Sequence, residues 1–169
     1  MLGMTSLLIR RPDTFPDYSP LEAVEPELLL WSSLCSDGKC SWGEALGLIS
    51  LVGVLAEFTY LTLHRDPAAD QTQRFFQCTG GGPEVNGRLL AEIGSENDVA
   101  VVAPCDAGWG RRVPITAAEP WSYSEVDELV LLPRDVLLSI AFGWIMDAAL
   151  SPQYRLRPVP TYSMSAVNP

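Results

Sequence analysis

The sequence predicts an α+β fold, a mainly antiparallel β-sheet packed against two principal helices. Helical periodicity occurs in two places, at residues 41–55 and 133–148, each opened by a start signal. Around them lie short runs rich in Val, Ile, Thr, Tyr and Phe, separated by Gly, Pro, Asn and Asp, the pattern of hairpin-connected strands. A chain of 169 residues, 47% hydrophobic and 19% charged, also has enough apolar surface for a single domain with its own core.

In chain order, Thr5 to Arg11 reads as a first strand with Leu7 and Ile9 on one face, ended by Pro12, which cannot donate a ladder hydrogen bond. Residues 13–25, rich in Pro, Asp and Glu, read as a surface segment before the apolar run Leu28 to Trp31 returns the chain to the core. Ser41 with Glu44 three positions on is a capping box. A helix should therefore begin at Trp42, with Ala45, Leu48, Ile49, Val52 and Leu55 on one face. Phe58, Thr59, Tyr60 and Thr62 then favour extended structure as far as Asp66-Pro67.

Arg74 to Cys78 reads as a short strand before the Gly80-Gly81-Gly82-Pro83 turn. Arg88 to Ile93 and Val99 to Ala103 form a hairpin about Ser95 to Asp98. Arg112 to Thr116, with Pro114 marking an edge, and Glu128 to Leu131 continue the strand-like pieces, with Trp109 and Trp121 in the connecting turns. Pro133 suits the first turn of a second helix, where Asp135 meets the positive end and Val136, Ile140, Trp144 and Ala148 share a face. Ser151-Pro152 should end it, and Tyr154 to Arg157 alternates as a closing strand. One domain, 1–169, is expected: an N-terminal arm and surface segment (1–40), an α+β core (41–160) and a frayed tail (161–169).

Twenty-one acidic residues against eleven basic ones leave a net charge of −10. Such a field repels phosphate backbones and anionic headgroups and speeds encounter with a basic protein. No direct nucleic-acid or membrane partner is expected. Leu46 to Leu63 has the length of a membrane span, but Glu57, Gly47 and Gly53 and its strand-forming second half argue against one. Arg10 and Arg11 follow a short apolar stretch, the reverse of an export signal, so a cytoplasmic location is expected. Cys35, Cys40, Cys78 and Cys105 are sparse for a chain this long and read as reduced thiols.

Catalytic signals are weak. His64, the only histidine, falls at a strand end and reads as solvated. Cys105 beside Asp106 could offer a nucleophile but has no base nearby in sequence. The Gly80 to Gly87 stretch lacks the Lys-Ser/Thr pair of a phosphate loop and reads as a turn. Glu92, Glu96 and Asp98 read as a solvated acidic edge. That edge has a second meaning: Glu96, Asp98, Glu125 and Asp127, with Glu128, fall near Trp109, Trp121 and Tyr123. Aromatic anchors among carboxylates suit a face that binds a basic protein; the same aromatics read equally as core plugs beneath the loops.

From Gly87 onward the order of motifs is Gly87-Arg88-Leu89-Leu90, Asn97 to Val102, Trp121-Ser122-Tyr123-Ser124-Glu125, Val130 to Val136 and Tyr154 to Pro158. This order resembles the first immunity-protein family of bacterial polymorphic toxin systems over roughly Gly87 to Pro158. The resemblance implies an antiparallel sheet packed by helices, no cofactor, and inhibition of a cognate toxin by covering its active site; no metal site is read from the residues. The apolar Leu137 to Ile145 departs from the more polar helix surface expected there, which admits a homodimer. Cys40 to Leu46 is also similar to the tryptophan-glycine signature of helical-bundle apoptosis regulators, but the strand signals after it do not fit a bundle. The expected role is thus a non-enzymatic immunity protein. The alternatives are a small enzyme using Cys105 or a carboxylate pair, and a regulatory or structural adaptor.

Overall fold

The computed structural model describes residues 28–33, 38–65, 74–80, 85–95, 98–115 and 125–158. Its framework is a seven-stranded antiparallel sheet in the order β2-β1-β3-β4-β5-β6-β9. The strands are β1 (Leu28–Ser32), β2 (Gly38–Cys40), β3 (Tyr60–Arg65), β4 (Phe75–Gly80), β5 (Leu89–Ser95), β6 (Asp98–Pro104) and β9 (Tyr154–Pro158). A two-stranded ribbon, β7 (Arg112–Pro114) with β8 (Glu125–Asp127), lies apart from it. Helices α1 (Trp42–Ile49) and α2 (Arg134–Ile145) complete the α+β fold that the two periodicities predict. Thr5 to Arg11, the segment 13–25 and the tail 161–169 lie outside the described residues. Within 28–40 the chain forms β1 and β2, so the sheet begins earlier than the expected core boundary at 41.

Side chains alternate between two apolar clusters because strand residues alternate between faces. Leu28, Leu30, Leu61, Leu63, Phe76, Cys78, Leu89, Ala91 and Val102 meet α1 and α2 on one face. Leu90, Val101 and Ala103 meet Val85, Val113, Ile115, Val126, Val130 and Leu131 on the other. The chain crosses between layers at Leu131 and Leu132, which belong to different clusters. Leu132 exchanges backbone hydrogen bonds with Leu89 there, at 2.8 and 2.9 Å.

The capping box forms as expected: the Ser41 hydroxyl accepts from the Glu44 N–H, and the Ser41 N–H donates to the Glu44 carboxylate at 2.8 Å. These bonds hold the Glu44 carboxyl below its usual range. The helix stops at Ile49, short of the predicted stripe. Val52 is buried in the following turn, but Leu55 is exposed. The run that could have spanned a membrane is therefore one short helix, a turn and β3, and among the described residues no helix is long and apolar enough to cross one. A Cβ on Gly80 would come within 2.9 Å of the Gly53 Cα, so this turn can seat on the end of β4 only with glycine there.

Glu128 to Leu131 is not a strand. The Asp127 carboxylate accepts from the Leu129 N–H at 2.9 Å and starts a 3-10 turn over Glu128–Val130, so the strand is Glu125–Asp127. In α2 the buried residues are Leu137, Ile140, Ala141 and Ile145 rather than the predicted Val136, Ile140, Trp144 and Ala148. Val136, Leu138, Phe142 and Trp144 pack partly buried around them, so the apolar excess that admitted a homodimer is largely spent on the core. The helix ends well before Ser151, because Asp147 adopts a left-handed φ of 58°. Its N–H donates to Trp144 and that of Ala148 to Gly143, a Schellman arrangement.

Neither helix has a basic residue in its last turn. Distant arginines supply that charge. Arg134 donates to the Ile49 and Ser50 carbonyls at the end of α1, and Arg65 to Trp144 and Ile145 at the end of α2. The Arg65 guanidinium also lies over the Trp144 ring.

Candidate functional site

The loop between β6 and β7 is held against the second layer by a buried ion pair. Arg157, on β9, is paired across the sheet with Val101 and so projects onto the second-layer face. Its side chain is 11% exposed and that of Asp127 6%. Their charged atoms are 3.4 Å apart. The same guanidinium donates to the Ala107 and Gly108 carbonyls, both at 2.9 Å. Arg155, two residues earlier and on the same face, donates to Ala107 at 3.1 Å. From the other side, the Gly110 N–H donates to both Asp127 carboxylate oxygens at 3.0 and 3.1 Å.

Between these anchors stands Trp109, 78% exposed, with the Arg157 guanidinium 4.6 Å from its ring centroid. The bracketing Gly110 is required by space, since a Cβ there would come within 2.8 Å of Leu129 and 2.9 Å of Asp127. A large aromatic side chain is thus fixed in place yet left uncovered by the described residues, the combination that lets a side chain bury area on binding at small entropic cost.

Of the candidates read from the sequence, Glu96, Trp121 and Tyr123 lie outside the described residues. Trp109 is exposed. Asp98, at the start of β6, and Glu125, at the start of β8, are exposed. Asp127 is different: it is buried, capping Leu129, binding Gly110 and pairing with Arg157, so its carboxylate is engaged inside the fold. The face is also less uniformly acidic than expected, because Arg111, Arg112, Arg155 and Arg157 interleave with the carboxylates. Each is engaged internally: Arg111 with the Glu128 carboxylate, Arg112 with the Glu125 carbonyl, and the β9 pair with the loop. Asp106 and Glu125 carry exposed carboxylates with no hydrogen bond or ion pair among the described residues, whereas Asp98 lies at the far end of β6, at the hairpin to β5, with its side chain on the helical face. Sequence reading missed Arg157 and Gly110. The signals were the Gly108-Trp109-Gly110 bracket and two arginines two apart on one strand.

No family model, curated protein or solved structure matches this chain.

Other candidates separate. Glu92 is not part of a solvated edge; it is 4% exposed and accepts from the Gln77 amide at 2.9 Å, Gln77 in turn accepting from the Thr62 hydroxyl. These residues form a row in register across β3, β4 and β5. His64 is not solvated either. Its ring lies 4.6 Å from Trp31 and 6.0 Å from Phe75, its Nε2 is buried without a partner among the described residues, and burial lowers its pKa. Cys105 is exposed, and its thiol donates to the Pro152 carbonyl at 3.2 Å, an acceptor that cannot serve as a base. Burial pushes the Cys40 thiol up to about 11 and Cys78 to about 12, which leaves both protonated and unreactive at neutral pH. Gly81 to Glu84 and Cys35 lie outside the described residues. Val85 to Gly87 turn into strand β5 rather than a helix. Among the described residues no group of three or more His, Cys, Asp or Glu is placed to hold a metal.

Proposed function

We propose that this chain is a cytoplasmic immunity protein that binds a cognate bacterial toxin through the Trp109 face and occludes its active site, with no catalytic step and no cofactor of its own. The observation that carries the reading is Trp109: an exposed tryptophan held by a buried arginine on a loop fixed at both ends. Exposed apolar surface kept rigid in this way is what a protein–protein anchor requires. The carboxylates of Asp106 and Glu125, exposed and unpaired among the described residues, and the net charge of −10 favour a basic partner. The order of motifs from Gly87 to Pro158, similar to the first immunity-protein family, supplies the biological role.

The test is capture of the tagged chain from cells carrying its native gene neighbourhood, with mass spectrometry of what survives moderate salt. Screening weakens surface charge attraction but leaves a packed interface. The expected result is a stoichiometric protein that kills when expressed alone and is neutralised by co-expression of this chain. Trp109→Ala should weaken that complex by roughly 30-fold, about 2 kcal/mol, the loss typical of a central aromatic anchor. Recovery of the chain alone would count against the reading, as would a complex indifferent to Trp109→Ala.

A further inference from the structure

We propose that Arg157 is the positioning residue of this binding face: it sets the loop 105–111 and the Trp109 ring in the partner-ready arrangement before any partner arrives, so that affinity depends on a residue the partner never touches. The inference rests on the proposed role of Trp109 and adds the device that makes it effective.

The geometry is specific to an arginine. One guanidinium reaches two successive carbonyls, Ala107 and Gly108, pairs with the Asp127 carboxylate and lies over the indole. A planar cation with several donors in fixed directions can meet all of these at once; a lysine ammonium, compact and without a flat face, cannot. At 11% exposure Arg157 has little surface left for a partner, whereas Trp109 presents most of its own. The two residues therefore divide the work. Arg157 belongs to the edge strand of the main sheet, so the sheet itself carries the anchor. Without that hold, Trp109 and its glycine-flanked loop would have to be ordered when the complex forms, and the cost would appear as weaker binding.

Arg157→Ala alone could not separate positioning from folding, since it leaves Asp127 buried and unpaired. Arg157→Lys restores the charge but not the flat, forked contact, and the two variants together decide. Full-length protein is labelled with 5-fluorotryptophan, and the Trp109 signal is assigned by its loss in Trp109→Phe. In the parent this signal should stand apart from its position in urea. In Arg157→Lys it should move most of the way to that position while the core signals of Trp42 and Trp144 stay put and the urea midpoint recovers relative to Arg157→Ala. Affinity for the captured toxin should fall by about 5- to 10-fold, the size expected for ordering one freed side chain and its loop. Combined with Trp109→Ala, the Lys variant should cost nothing further.

An unmoved Trp109 signal in Arg157→Lys overturns the proposal, as does unchanged affinity where Trp109→Ala is damaging. The second result would leave Trp109 as the anchor. Affinity unchanged by Trp109→Ala would instead remove the parent reading, and the fluorine spectra would still report whether Arg157 holds the ring.

Discussion

The two faces of the sheet are held together by different physics. The helical face is a continuous apolar layer in which Phe76, Leu61, Leu63, Leu137 and Ile145 are fully or almost fully buried, with aromatic contacts such as Trp42–Phe142 and Phe76–Trp144 at its rim. The opposite face carries a smaller cluster over β5 and β6 only, and the ribbon and loop above it depend on directional bonds radiating from Asp127 and Arg157. Apolar packing is tolerant of detail and supplies most of the stability. Directional polar contacts add little net energy, but they set one arrangement against its neighbours. The helical face can thus serve as the foundation, and the other face can hold an exposed tryptophan at a defined place.

The sharpest way to break this contrast is Phe76→Ala, which should cost about 3–5 kcal/mol of global stability by opening a cavity in the apolar layer. Urea unfolding measures it. Amide exchange should quicken in β7 and β8 as well as in β3 and β4, because the second layer rests on the same sheet. Protection retained in the ribbon while the main sheet loses it would show two independent units. Asp127→Ala should cost less, about 2–3 kcal/mol, by leaving Arg157 without its ion pair and the Gly110 and Leu129 N–H groups unsatisfied. Its effect on exchange should be confined to residues 107–113 and 125–131. An equal loss beneath the helices would merge the two regions.

The smallest effect concerns His64, on the face opposite the helices. Burial between Trp31 and Phe75 holds its folded pKa below the unfolded value of 6.5, so the unfolded chain takes up the proton first. Its contribution is fully present above 6.5 and is lost as the pH falls from there through the folded pKa. The urea midpoint should therefore decline from pH 7.5 towards acid more steeply in the parent than in His64→Phe. Identical slopes would mean that His64 titrates equally in both states.

Much of the scaffold was legible because it depends on neighbours in sequence. The Ser41–Glu44 capping box, the β5–β6 hairpin, the strand status of 154–157 and the start of α2 near Pro133 are all local patterns, and each forms within a residue or two of its expected place. The errors occur where a distant partner decides. Glu128 to Leu131 has the composition of a strand, but the Asp127 carboxylate turns it into a 3-10 segment. His64 and Glu92 look like surface residues until β1, β3, β4 and β5 come together around them. The candidate site divides in the same way: Trp109 and Glu125 were visible as an aromatic near a carboxylate, whereas the burial of Asp127 and the placement of Asp98 at the far end of β6, on the helical face, were not.

The sequence by itself determined the class of fold, its two helices, most of its strands and its acidity, since periodicity, caps, turns and composition need no long-range information. Tertiary structure alone decided which arginines close the helix ends, which carboxylate is buried and which cation holds Trp109. Each of those pairings joins residues far apart in the chain, 79 positions for Arg65 and Trp144, 30 for Arg157 and Asp127. Many charges in the sequence could satisfy either partner, and only the strand register brings one of them within reach.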